Sequence, residues 1–136
     1  MTGNGLISVD SRFGVTETID RLVATVTGAG LRIFARIDHA AGAREIGAPL
    51  RPTELLIFGH PKGGTPLMQD NQLAGIDLPI KALAWEDDQG KVWLSYNDAQ
   101  WLAERHGLGD ASRDAVAAIA AGMQKVVTAA AGVDRS

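Results

Sequence analysis

Three histidines, His39, His60 and His106, carry the only imidazoles of this 136-residue chain. Two of them, His39 and His60, directly follow strand-like segments, Leu31 to Ile37 and Glu54 to Phe58. Both rings are therefore expected to project at one end of a sheet. With Asp38 or Asp77 they would offer two nitrogens and a carboxylate, a donor set that suits a transition metal. No metal-binding motif accompanies them, and a histidine at a helix start is more often a hydrogen-bonding residue, so no metal is assigned. His106 stands at a helix C-terminus, where the helix dipole stabilises it in part.

The stretch Gly59-His-Pro-Lys-Gly-Gly-Thr65 offers a second kind of chemistry. It leaves an apolar run, Leu55 to Phe58, and turns through Pro61, Gly63 and Gly64. Backbone amides near the two glycines, the Lys62 charge and the Thr65 hydroxyl at a helix N-terminus can cradle an anion. The Gly-Lys-Ser/Thr order of a phosphate-binding loop is missing, and so is a dinucleotide fingerprint. The structural alternative is a tight corner with Thr65 capping a helix that Pro66 begins. The candidate ligand-binding set is Asp38, His39, Gly59, His60, Lys62, Gly64 and Thr65, meeting at a shared rim. An alternative makes His39 or His60 an acid–base group supported by Lys62. No catalytic residue or cofactor is assigned.

Other polar groups read more plainly. Ser8, Ser11, Ser95, Ser112 and Ser136 lie in no nucleophile elbow. Asp87 and Asp88 sit at a hairpin tip, where a solvated turn is expected rather than a catalytic pair. Trp85 and Trp93 fall on two hairpin strands and are expected to pack across them; with Trp101 they could otherwise stack a flat ligand. Arg32 and Arg36 share a strand face with Phe34, either meeting an acidic ligand or lying over the sheet.

Positioning these groups requires the following elements. Leu6 to Asp10 alternates weakly, as a first strand. Val15, Ile19, Leu22, Val23 and Val26 fall at helical spacing, and Gly28 and Gly30 end that helix. Leu31, Ile33, Ala35 and Ile37 alternate with Arg32, Phe34 and Arg36, predicting a strand with one buried and one mixed face. Asp38 caps a short helix closed by Gly47. Glu54 to Phe58 is a buried strand, and Pro66 to about Gln72 a short helix. Ile80 to Glu86 and Lys91 to Tyr96 form a hairpin around Asp87 to Gly90. Asn97 with Gln100 reads as a capping box. Asp110 to Ala131 is a last helix with an apolar stripe from Val116 to Val127, its alanine-rich faces suited to close packing on a partner. The grouping predicts an α+β fold, a mainly antiparallel sheet with helices on one face. A parallel doubly wound sheet is weaker, because the hairpin has no crossover helix.

Composition sets outer bounds. The length suits a single domain, 1–136, and 46% apolar residues suffice for one core. Net charge is -3 and the 13 basic residues are scattered, so neither nucleic acid nor an anionic membrane is an expected partner. There is no cysteine, which excludes disulfides and thiolate chemistry. The N-terminus lacks the basic and apolar regions of a secretory signal, and no apolar run approaches a membrane span, so a cytoplasmic location is expected.

Several segments together resemble the DUF302 family of TT1751-like structures. They are Phe34-Ala-Arg-Ile-Asp-His-Ala40, Pro52 to Gly59, Pro61-Lys62, Gly64-Thr-Pro-Leu-Met68, Asp77-Leu-Pro79, and Trp85-Glu-Asp with Val92 to Tyr96. The resemblance covers roughly residues 16–107, with the helix at about 110–131 added. The family usually has asparagine where this chain has His60. The resemblance implies a curved antiparallel sheet backed by helices, of the TATA-box-binding-protein type, and a homodimer. It implies no activity. The function expected is a binding module for a small anionic or flat ligand; the alternatives are the small enzyme above and a structural or partner-binding homodimer.

Overall fold

The computed structural model describes residues 3–133; Met1, Thr2 and residues 134–136, Ser136 among them, lie outside the described residues. In chain order the elements are β1 (Leu6–Asp10), α1 (Val15–Gly28), β2 (Arg32–Asp38), α2 (His39–Glu45), β3 (Thr53–Gly59) and α3 (Pro61–Asp70). A 3-10 helix, Gln72–Asp77, precedes β4 (Ile80–Glu86), β5 (Val92–Asn97) and α4 (Ala99–Arg105). A 3-10 turn, Asp110–Ser112, leads into α5 (Arg113–Ala131). The sheet order is β1-β5-β4-β3-β2, and every neighbouring pair is antiparallel. The fold is thus α+β, as the grouping of strands predicts.

Periodicity explains which face is covered. On α1, Val15, Ile19, Leu22 and Val26 recur every three or four residues and are all buried. They meet Met123, Val126, Val127 and Ala130 of α5 over the sheet residues Leu56, Phe58, Ala82, Ala84, Leu94 and Tyr96. Part of the small-residue face of α5 is therefore spent within the chain, with Ala130 and Ala131 fully buried. A second, smaller core gathers Leu67, Ala74, Ala99 and Val116, and Ile119 packs against both cores. The opposite face of the sheet carries Leu55, Ile57, Leu83, Trp85 and Trp93, which join neither core. Trp85 and Trp93 stand directly opposite one another, as expected.

Four local expectations are corrected. The alternating residues of β2 do not bury one face: Ile33, Phe34 and Ile37 are exposed, because β2 is an edge strand whose register shifts between Ile33 and Ala35. The helix expected from Pro66 begins at Pro61. His60 caps it, its Nδ1 accepting from the Lys62 amide at 3.1 Å, and Pro66 lies inside. Thr65 is thus a helical residue, not a cap. The cap of α4 is Asp98, one residue after Asn97; its side chain accepts from the Gln100 amide. His106 does more than lie along a dipole. Its Nε2 is 2.6 Å from Asp77 Oδ2, both side chains are largely buried, and Asn71 donates to its carbonyl. Among the described residues no helix is long and apolar enough to cross a membrane.

Candidate functional site

The antiparallel pairing of β2 with β3 decides where the expected site residues go. Arg32 lies opposite Gly59 and Asp38 opposite Glu54. Gly59 and His60 leave the sheet at one end of β2, and Asp38 and His39 leave at the other. At about 3.3 Å per residue the two are separated by roughly 20 Å along the strand. The shared rim is therefore corrected: strands that pair antiparallel deliver the residues following them to opposite ends. Asp38 instead caps α2, accepting from the Ala41 amide. No group of three histidine, aspartate or glutamate side chains is placed to hold a metal ion among the described residues.

The other five residues of the set do gather at a cavity. Gly59, His60, Lys62, Gly64 and Thr65 line a pocket of about 660 Å³ at the seam between the two cores. Its walls come from the end of α1 (Ala29, Gly30), the start of β2 (Leu31, Phe34), α3, the segment Gly75 to Ile80, and α5. Phe58, Met123 and Val126, all nearly inaccessible, belong to its lining and to the main core at once.

Small residues border this space. A Cβ added at Gly122, in the middle of α5, would meet nothing within 4 Å. Gly63 faces Ile119, and a Cβ there would lie 3.6 Å from it. Gly64 faces Leu78, at 3.4 Å. The run Gly63-Gly64 does not turn a corner; it thins the first turns of α3 so that the helix stands close to Ile119 and Leu78. Glycine in a helix interior costs about 1 kcal/mol relative to alanine, so three such residues around one void are a sizeable sacrifice of helix stability.

Polarity is confined to one edge. Among the described lining residues the polar side chains are His60, Lys62 and Thr65, all on the first turn and a half of α3. No carboxylate is among the described lining residues. Because His60 Nδ1 accepts from the Lys62 amide, a neutral His60 ring carries its proton on Nε2, leaving a donor for a ligand. Lys62 enters none of the ion pairs among the described residues. Pockets of this size, apolar with a few convergent polar groups, are the usual form of small-molecule sites.

Other candidate groups have structural partners. Arg36 bonds Glu54 and Asp20, so it is not free for an acidic ligand. Asp87 accepts from the Gln89 and Lys91 amides and from the Trp93 indole, closing the hairpin turn. Sequence reasoning missed the cavity's far wall, Leu31, Ala118, Ile119, Gly122 and Met123. Its one signal was Gly122, a helix-weakening residue inside an otherwise alanine-rich helix.

Residues 7–130 match the family described as "Domain of unknown function DUF302". The chain is 54% identical over 129 residues to a protein named fluoride-specific ion channel FluC 1 from Brucella suis biovar 1 (strain 1330), covering 95% of this chain and 51% of that one. A FluC 1 from Brucella abortus biovar 1 (strain 9-941) matches at the same identity over 48% of its length. The chain thus spans about half the length of these curated relatives. Among solved structures, an uncharacterized conserved DUF302 protein from Bacillus stearothermophilus aligns with a TM-score of 0.74 at 22% identity, over 94% of this chain and 96% of that one.

Proposed function

This chain belongs to the DUF302 family, and we propose that it serves as a binding module that holds a small anionic or flat organic ligand in the cavity between α3, α5 and the sheet. The observation that supports this is the cavity's construction: glycines border it, apolar side chains floor it, and its polar groups stand along one edge. Gly59, His60, Lys62, Gly64 and Thr65 are the ligand-facing residues of this reading, and Asp38 and His39 are not part of it. An acid–base role for His60 finds less support, since one ring nitrogen is committed to capping α3 and Lys62 is the one other ionisable side chain among the described lining residues. In the longer relatives named as fluoride channels, such a module would add ligand binding to whatever the rest of the chain does.

The test is a thermal-shift screen of small organic acids and flat heterocycles against wild type and Gly122→Leu. Gly122 lines the cavity at an exposed position with nothing within 4 Å of an added Cβ, so the variant is expected to fold while setting a bulky side chain at the cavity's rim. Compounds that stabilise wild type should lose their effect in the variant. Equal stabilisation of both proteins would remove the cavity as the site.

A second reading, a homodimer, is favoured by one observation. The sheet face bearing Leu55, Ile57, Leu83, Trp85 and Trp93 joins neither core, and such a face suits a second copy.

A further inference from the structure

Resting on the reading that the cavity binds a ligand, we propose that its occupant is an amphiphilic monoanion: a single carboxylate-like head on an apolar body of ten or more carbons. Three features lead there. First, Lys62 is the one charged side chain of the described lining, and it is accompanied by the Nε2 donor of His60 and the Thr65 hydroxyl. A lone cation with two neutral polar groups and no carboxylate matches a head with a single negative charge. A cationic or zwitterionic head would leave its positive group without a counter-charge.

Second, the rest of the space is apolar and large. At about 30 Å³ for each water, a cavity of this volume has room for at least roughly 20 water-sized groups. A benzoate-sized acid would leave more than half of it to water against Phe58, Met123 and Ile119, surfaces that offer water no hydrogen bond. An extended apolar body fills it, and the flexible methionines Met68 and Met123 can adjust to its shape.

Third, the mouth is apolar too. Phe34 and Met68 line the cavity and are 52% and 36% exposed. Single exposed apolar residues need no explanation, but two that line an apolar cavity and also reach solvent offer a tail a way out of it. The head stays at the α3 edge, and the body passes over these two side chains.

The probes are dodecanoate, dodecyltrimethylammonium, acetate and benzoate, each below any micelle-forming concentration. They are titrated into wild type, Lys62→Gln and Gly122→Leu while the Met68 and Met123 methyl resonances and the melting temperature are followed. Dodecanoate is expected to move both methyl resonances and raise the melting temperature, and the matching cation and acetate to do neither. Lys62→Gln should weaken dodecanoate about tenfold, and Gly122→Leu should abolish its effect on the methyls. Equal response to the anion and the cation, or dodecanoate binding unchanged in Gly122→Leu, would overturn the proposal. Benzoate moving the methyls where dodecanoate does not would remove the long apolar body and leave the cavity a binding site. Silence from every probe would overturn the proposal alone, and the broader screen above would then decide the cavity.

Discussion

Glu54 sits inside β3 with its side chain almost wholly buried, and it is satisfied on both oxygens. Thr16 donates to Oε2 at 2.6 Å, and Arg36 donates from Nε to Oε1 at 3.0 Å. Burial works against the Arg36 charge, the bonds to Asp20 and Glu54 outweigh it, and the guanidinium pKa ends raised. The network ties the edge strand to α1, which bears both Thr16 and Asp20. Glu54→Gln is expected to cost about 1.5–3 kcal/mol, the usual worth of a hydrogen bond to a charged group. The urea midpoint measures this, and adding Arg36→Met should cost less than the sum of the single changes. A charged residue directly preceding the apolar run Leu55 to Phe58 was visible in the sequence; its partners, 38 and 18 residues away, were not.

Two aspartates carry a pH dependence. The Trp93 indole and then the Lys91 amide hold the Asp87 carboxyl below its ordinary value of 3.8. The Gly109 amide and the Ser112 hydroxyl do the same for Asp70. A carboxyl whose pKa is lowered on folding contributes stability that is complete above its ordinary value and fades as pH falls through the folded one. Asp87→Asn and Asp70→Asn should therefore be less stable than wild type at pH 7. The gap should close as the pH is taken below about 3.8. Denaturant midpoints at pH 7 and pH 3 show it.

At the scale of elements, the start of α3 shows how two equally good signals compete. Pro61 and Pro66 both suit a first helical position, and Thr65 is a better cap on paper than His60. The earlier start wins because His60 caps through its ring, and it adds a turn that buries Gly63 and Gly64 against Ile119 and Leu78. That is tertiary packing overruling a local preference, which sequence alone cannot weigh. Gly122 and Gly132 of the last helix offer opposite tests. Gly122→Ala adds a methyl where nothing lies within 4 Å and should stabilise by up to about 1 kcal/mol. Gly132 ends α5 at φ 76°, and a Cβ there would come within 2.7 Å of the Phe13 ring. Gly132→Ala should cost at least about 1–2 kcal/mol for the left-handed backbone alone. Thermal unfolding of the two variants should shift in opposite directions.

For the whole molecule, periodicity was enough to find α1, the β4–β5 hairpin and α5, and hence the α+β class. Beyond that hairpin it was silent on which strands are neighbours, and pairing decides which loops share an end. His39 and His60 each follow a strand, but antiparallel neighbours send them apart. Half the candidate site was therefore legible, the half written in one continuous stretch. The rest, from α5 and the start of β2, depended on contacts between distant segments. The homodimer is also tested at this scale. Wild type should elute as a dimer in light-scattering chromatography, and Leu83→Glu, on the uncovered sheet face, should elute as a monomer with its melting curve little changed. A monomeric wild type would end that reading.

The facing pair Trp85 and Trp93 lies on the central strand β4 and its neighbour β5, with Trp85 Nε1 bonded to Ser95 and Trp93 Nε1 to Asp87. Indoles fixed by hydrogen bonds on paired strands absorb in the near ultraviolet, so the sheet carries its own optical label. Circular dichroism in the aromatic region would follow the strands while the far-ultraviolet signal follows the helices, and any order in which the two layers come apart on heating would be visible without attaching a dye.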